Sequence, residues 1–328
     1  ASFHAIAALA AVRSRKYRFA QDHFAKAHAR ILENERDVLW FSRAARSLGF
    51  WDLGLQAFSS SQQTKQEHSA SFQQELISAL IEAREADSIL RDLCSVRAHA
   101  VKSHILEAAP LLSPADESKQ TSNGVDLNEL RLRLSDRDLS RDLMKTIGSL
   151  SAEQLTPPML TSLAVTQLLS SQPSQALDTL RQVHQSTALD DWQNILIVIA
   201  LIEQNQMDLA RKTISRLHIN PSFKPLLQYL EGKSFKVENS KACCQAISHA
   251  LTEWPDEPVW HYELGLMYSQ GSEISSAIPH LQQAVLINSE DVDAVHLLAK
   301  VLQQDGQFAE SAEAYEHALR KNPSNSSI

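Results

Sequence analysis

The chain has 328 residues, 43% of them hydrophobic, and a formal net charge of -8, so it can bury a substantial core and needs no highly charged partner to stay in solution. Eight glycines and eleven prolines leave few of the punctuators that a sheet protein requires, and the wealth of Leu, Ala, Gln and Ser leans to an all-α fold. Three cysteines, Cys94 and the neighbours Cys243 and Cys244, make no disulfide framework, since adjacent residues of a helix point to different faces; a reducing, cytoplasmic setting is expected.

Taken from the beginning, Ala1 to Val12 are apolar without a charged leader and run directly into patterned sequence. Residues 1–60 carry nine Lys/Arg against five Asp/Glu, which leaves -12 for the remainder. These basic residues interleave with apolar ones instead of forming a stripe, so they predict no nucleic-acid site. Tyr17, Ala20, Phe24 and Ala27, then Ala44, Ala45, Gly49, Trp51, Gly54 and Phe58, alternate small and large residues at helical spacing. They predict two repeat units over 1–61.

Residues 62–156 break the pattern. Phe72, Leu76, Leu80, Ala83, Leu90 and Leu93 keep helical spacing, a second helix is expected from Ala98 to Ala109, and the polar stretch 113–124 reads as a flexible loop. Leu127 to Ile147 give a further helical run; within it, 131–143 interleaves charges with leucines and reads as a solvated face. From 157 the pattern returns, with Ala176 and Ala210 one period apart and Leu180 and Ile214 each four residues on. Units are expected at 157–189, 190–223 and 224–256, and the tail 324–328 is expected to fray.

The period is clearest near the C-terminus. Gly265, Tyr268, Ala277, Leu281 and Ala284 are followed thirty-four residues later by Ala299, Leu302, Ser311, Tyr315 and Ala318, and Asn322-Pro323 closes the unit. Small residues let two helix backbones approach while large ones fill the gaps beside them, and one such pair cannot cover its own apolar faces. Over 257–323 the pattern resembles the tetratricopeptide repeat family. That resemblance implies a right-handed α-solenoid of helical hairpins over 1–61 and 157–323, with irregular repeats between.

The resemblance also implies that first helices line a concave, partner-binding surface. On this chain that face falls on Arg36, Leu39, Arg43 and Arg46, then on Tyr262, Leu266 and Ser269, then on His296, Lys300 and Gln303. Arg43 and Arg46 would pair with carboxylates of an acidic segment. The alternative is that they merely keep a helix soluble. A subset of the family grips a C-terminal carboxylate with lysines and asparagines; Tyr262, Leu266, His296 and Lys300 do not reproduce that clamp. The other face residues suit an extended peptide or a helix.

Enzyme signatures are absent: there is no GxGxxG, P-loop, GxSxG or HExxH. His23 and His28, or His99 and His104, are five apart and share no helix face, so they read as ordinary side chains. Cys243 and Cys244 read as small residues in a packing seam, and the five tryptophans as scattered core positions. No metal, cofactor, nucleic-acid partner or membrane insertion is expected. The sequence therefore predicts a non-catalytic scaffold or adaptor within a larger complex. The competing readings are the regulatory repeat region of a larger enzyme, such as a glycosyltransferase or protease, and a peptide-sensing module.

Overall fold

The computed structural model describes residues 2–29, 32, 34–59, 69–94, 156–235 and 239–321. Among them every regular element is helical. There are fifteen α-helices and one short 3-10 turn, Pro221–Phe223. The expected helix 98–109, the loop 113–124, the charged run 131–143 and the tail lie outside the described residues.

The helices are α1 (Ser2–Arg13), α2 (Tyr17–His28), α3 (Glu35–Ser47), α4 (Trp51–Ser59) and α5 (Ala70–Asp92). After the gap come α6 (Pro157–Leu169), α7 (Pro173–Ser186), α8 (Asp191–Glu203), α9 (Met207–Ile214) and α10 (Lys224–Phe235). The last five are α11 (Ser240–Glu253), α12 (Pro258–Gln270), α13 (Ile274–Ile287), α14 (Val292–Gln304) and α15 (Phe308–Lys321). Their starts are written in side chains that satisfy orphan amides. Asn34 accepts from the Asp37 amide, Ser69 from Phe72, Asn239 from Ala242, and Asp291 from Asp293 and Ala294. Asp190 and Gln193 form a reciprocal capping box on α8, while Pro157, Pro173 and Pro258 occupy first-turn positions where no amide is needed.

Six of the first helices end alike. Two residues past each lies a left-handed residue: Arg15, Gly49, Ser171, Asn205, Ser272 and Gly306, with φ between 55° and 82°. After five of these, the next amide bonds back to a carbonyl five residues earlier, as Lys16 does to Ala11 at 2.8 Å and Glu273 to Tyr268 at 2.9 Å. This Schellman-type closure stops the helix and reverses the chain.

Small residues are fully buried where paired helices touch: Ala8 and Ala20 in α1 and α2, Ala164 and Ala176 in α6 and α7, Ala277 in α13 and Ala299 in α14. In α15 the equivalent place holds Ser311, whose hydroxyl donates to the Ala299 carbonyl at 2.8 Å, so its polarity is satisfied inside the seam. At Gly265 the two helices come especially close, since a Cβ there would lie 2.6 Å from Cγ of Leu281.

Two compact units emerge. Among the described residues, one holds those of 1–93, 156–205 and 216–223, and the other holds Cys94 and those of 206–215 and 224–321. In the second unit consecutive helices pack in chain order, and the cluster Ala277, Leu281, Leu298, Val301 and Leu302 joins α13 to α14. Within the first unit there is a departure from neighbour-only stacking. Tyr17 donates to Asp191 at 3.1 Å, the fully buried Asn220 donates to the Leu48 carbonyl at 3.2 Å, and Trp51 meets Trp192 edge-on at 5.1 Å. The Tyr17 phenol is pushed up to about 12 by burial and by the Asp191 carboxylate beside it.

Candidate protein-binding faces

On α3, Arg36 is exposed and Leu39 half-buried. Arg43 and Arg46 follow on the same side and converge on one carboxylate, Glu75 of α5. Arg43 reaches Glu75 at 2.6 Å, and Arg46 pairs with Glu75 and also with Glu82 at 2.5 Å. The Arg46 side chain is 7% exposed and that of Glu75 8%. Gly54 makes this possible, because a Cβ there would stand 2.9 Å from Cγ of Arg46. The acidic segment expected of a partner is thus supplied by the chain's own α5. Arg46 is a buried structural cation, whereas Arg43, 44% exposed and lying over the Trp40 ring at 5.4 Å, keeps surface to offer.

The C-terminal face differs. Tyr262 on α12 leans on the α13–α14 cluster, and burial and the carboxylates of Asp293 and Asp291 raise its phenol. Leu266 is half-buried, and the Ser269 hydroxyl donates back to the Leu266 carbonyl at 2.8 Å. On α14, His296 turns toward α15, its ring 5.9 Å from that of Tyr315, whereas Lys300 and Gln303 stand in solvent. Among the described residues Tyr262, Lys300 and Gln303 carry no side-chain hydrogen bond or ion pair. The structure brings Tyr262 against α14, leaves Lys300 and Gln303 open, and draws His296 aside.

Several features were invisible when each helix was read alone. His4 and His23 meet Nδ1 to Nδ1 at 3.1 Å, and His261 and His280 do the same at 3.1 Å. Both pairs join the first to the second helix of a hairpin across nineteen residues. The recurring nineteen was the available cue. His261 Nε2 lies 2.9 Å from the Pro255 carbonyl, which fixes its proton there and leaves Nδ1 to accept. Burial pushes both imidazoles of this pair below their ordinary range, and His261 lowers His280 further. The tryptophans are not scattered either. Trp260 is fully buried, stacked 4.5 Å from Tyr229 and 5.7 Å from Trp254, with its indole donating to the Cys94 carbonyl at 3.0 Å.

Cys243 and Cys244 are buried free thiols on α11, with the Cys243 sulfur 3.5 Å from that of Met267. Burial raises the Cys244 thiol, away from a reactive thiolate. No cluster of three or more His, Cys, Asp or Glu among the described residues could hold a metal ion, and no described helix is long and apolar enough to cross a membrane.

Hairpins closed by one recurrent turn, small residues against large across each seam, and a thirty-four-residue step from α12/α13 to α14/α15 settle the architecture. The described helical hairpins resemble tetratricopeptide repeats. No family model and no curated protein matches it. Solved structures similar to it include MamA from Desulfovibrio magneticus RS-1, with 17% identity over 52% of this chain and 97% of that one, TM-score 0.45. A C-terminal part of a TPR repeat-containing protein from Cytophaga hutchinsonii shows 10% identity over 98% and 96%, TM-score 0.43. The APC/C hetero-tetramer Cut9-Hcn1 shows 11% over 98% and 81%, TM-score 0.42.

Proposed function

We propose that this tetratricopeptide-like chain is a non-catalytic scaffold that holds an extended peptide or helix of a partner protein on the first-helix face of α12 and α14. The observation that carries the reading is the contrast between the two candidate faces. On α3, Arg43 and Arg46 are paired with Glu75 and Glu82. On α12 and α14 an aromatic and an aliphatic side chain, Tyr262 and Leu266, adjoin the exposed Lys300 and Gln303. An amphipathic aromatic with polar side chains free to bond is the composition of a peptide-reading surface, and helical hairpins supply it on rigid elements.

The test is a photo-crosslinking amino acid placed at Lys300 or Gln303, with a control at Leu286 of α13, which is 75% exposed. Covalent capture of one protein segment at 300 and 303, lost in Tyr262→Ala/Leu266→Ala, supports the face. Capture that is equal at 286, or indifferent to the double substitution, refutes it.

A further inference from the structure

The imidazoles that join α12 to α13 have the geometry of a hydrogen bond and also that of a chelate. His261 Nδ1 lies 3.1 Å from His280 Nδ1. Zinc–imidazole bonds of about 2.0–2.1 Å place their two nitrogens about 3.3 Å apart at a tetrahedral angle and about 2.9 Å apart at a right angle. The observed separation falls between these, so an ion fits between the rings without moving either helix.

The rings are held in that arrangement by groups around them. His261 Nε2 sits 2.9 Å from the Pro255 carbonyl, so its proton stays there and its Nδ1 lone pair faces His280. Metal-binding imidazoles ordinarily donate their second N–H to such an acceptor, which fixes both tautomer and ring orientation. The His280 ring is flanked by that of His261 at 5.3 Å and by Tyr268, stacked at 5.8 Å with 14° between the planes. His261 is 8% exposed and His280 half-buried. Burial depresses both, which keeps them in the neutral form that ligates.

We infer that His261 and His280 form a two-imidazole chelate for a divalent transition ion of the zinc class, which clamps α12 to α13. Imidazole nitrogen suits such ions, whereas Mg2+ and Ca2+ take oxygen ligands. In the metal-free pair His280 donates its Nδ1 proton to His261. When the ion enters, that proton leaves Nδ1 and Nε2 of the same ring takes one from water, so His280 stays neutral and two nitrogen–metal bonds replace one hydrogen bond. Among the described residues no group of three or more His, Cys, Asp or Glu could hold a metal, so water fills the remaining positions. The inference does not rest on the peptide-binding reading, because the ion bridges α12 to α13 and the proposed face lies on α12 and α14.

The experiment uses the 328-residue chain carrying His23→Gln, which removes the similar pair His4 and His23. Zn2+ is titrated by calorimetry, and melting temperature is followed alongside, since an ion that binds the folded state raises it. One saturable site and a rise in melting temperature are expected, with neither effect from Mg2+. Adding His261→Gln or His280→Gln is expected to weaken Zn2+ binding by about tenfold or more, the size that loss of even an outer-shell group produces. Nuclear magnetic resonance of nitrogen-labelled histidines reads the site without further substitution. Zn2+ should move the Nδ1 signals of two rings and leave both protonated at Nε2. The proposal is overturned by the absence of saturable binding, by an equal response to Mg2+, by binding that survives either added substitution, or by signals that move at Nε2 or in one ring alone.

Discussion

Replacing Gly265 by alanine pits two effects of known size against each other. In the interior of α12 the substitution removes glycine's backbone entropy cost and favours the helix by about 1 kcal/mol. The new Cβ, however, would lie 2.6 Å from Cγ and 2.7 Å from Cδ2 of Leu281, roughly 1 Å inside van der Waals contact. Leu281 is fully buried and the near atom is its branch point, so a rotamer change does not clear the clash. Overpacking of this kind costs about 1–3 kcal/mol. We expect Gly265→Ala to destabilise by about 1 kcal/mol net, read as a lower midpoint in urea denaturation followed by circular dichroism. Gly271 is the internal control. Its added Cβ meets nothing nearer than 3.5 Å at a φ of -78°, so Gly271→Ala is expected to stabilise by about 0.5 kcal/mol. In a Leu281→Ala background the clash vanishes, and Gly265→Ala should then stabilise by about 1 kcal/mol, a reversal of sign that a double-mutant cycle isolates. If Gly265→Ala stabilises the parent chain as Gly271→Ala does, the close approach of α12 and α13 is refuted.

Glu75→Ala strands Arg46 with only Glu82 for company and should cost about 3 kcal/mol, whereas Arg43→Gln, at a side chain 44% exposed, should cost well under 1 kcal/mol; urea titration separates them. Glu85 of α5 is half-buried as a residue, but its Oε1 is shut from solvent without a partner, and burial of the carboxyl raises it to about 8. The folded state therefore holds a proton the unfolded chain releases near 4.5, so stability falls as pH rises from about 4.5 to 8, by up to about 3 kcal/mol at pH 7. Glu85→Gln should remove that slope in denaturation midpoints taken across pH. The His261–His280 pair acts with the other sign. Both are depressed in the fold, so their contribution is present above the unfolded value near 6.5 and lost as pH falls below it. Mild acid should lower the melting temperature, and less so in His280→Gln.

The thirty-four-residue period was legible because it states a packing rule directly: Gly265 and Ala277 must be small where Leu281 must be large. The hairpin turns were not, since the left-handed residue is Arg15, Ser171, Asn205 or Ser272 in four of six cases, and glycine in only two. The internal pairing of Arg43 and Arg46 was not legible for a physical reason. Transferring a concave face from a regular array assumes that nothing of the chain lies there, and the irregular α5 brings Glu75 and Glu82 to it. Their spacing of seven places both on one side of a helix, which was the signal to weigh. A charge reversal of Arg43 and Arg46 would consequently test the stability of α3 against α5 and not the affinity for a partner. Trp51 and Trp192 could not be joined from sequence, because nothing local couples residues so far apart in the chain.

The two compact units also differ in how they should lose structure. In the second, contacts run between consecutive helices, so opening should spread from neighbour to neighbour, and a lesion should be felt locally. In the first, Tyr17 and Leu48 are bonded to Asp191 and Asn220, and a Cβ on Gly49 would strike the Phe223 ring at 2.6 Å. The first two hairpins should therefore open together with residues 191–205 and 216–223. Asn220→Ala removes a fully buried side chain that bonds both the Leu48 carbonyl and the Ser222 amide, leaving two unsatisfied groups at a cost of about 2–3 kcal/mol. Hydrogen exchange read by mass spectrometry should then quicken together in α3, α4 and α8, while Ser311→Ala quickens only α14 and α15. Acceleration confined to 216–223 in the Asn220 variant would show that the long-range contacts carry no cooperativity, and that the first unit behaves as a simple stack after all.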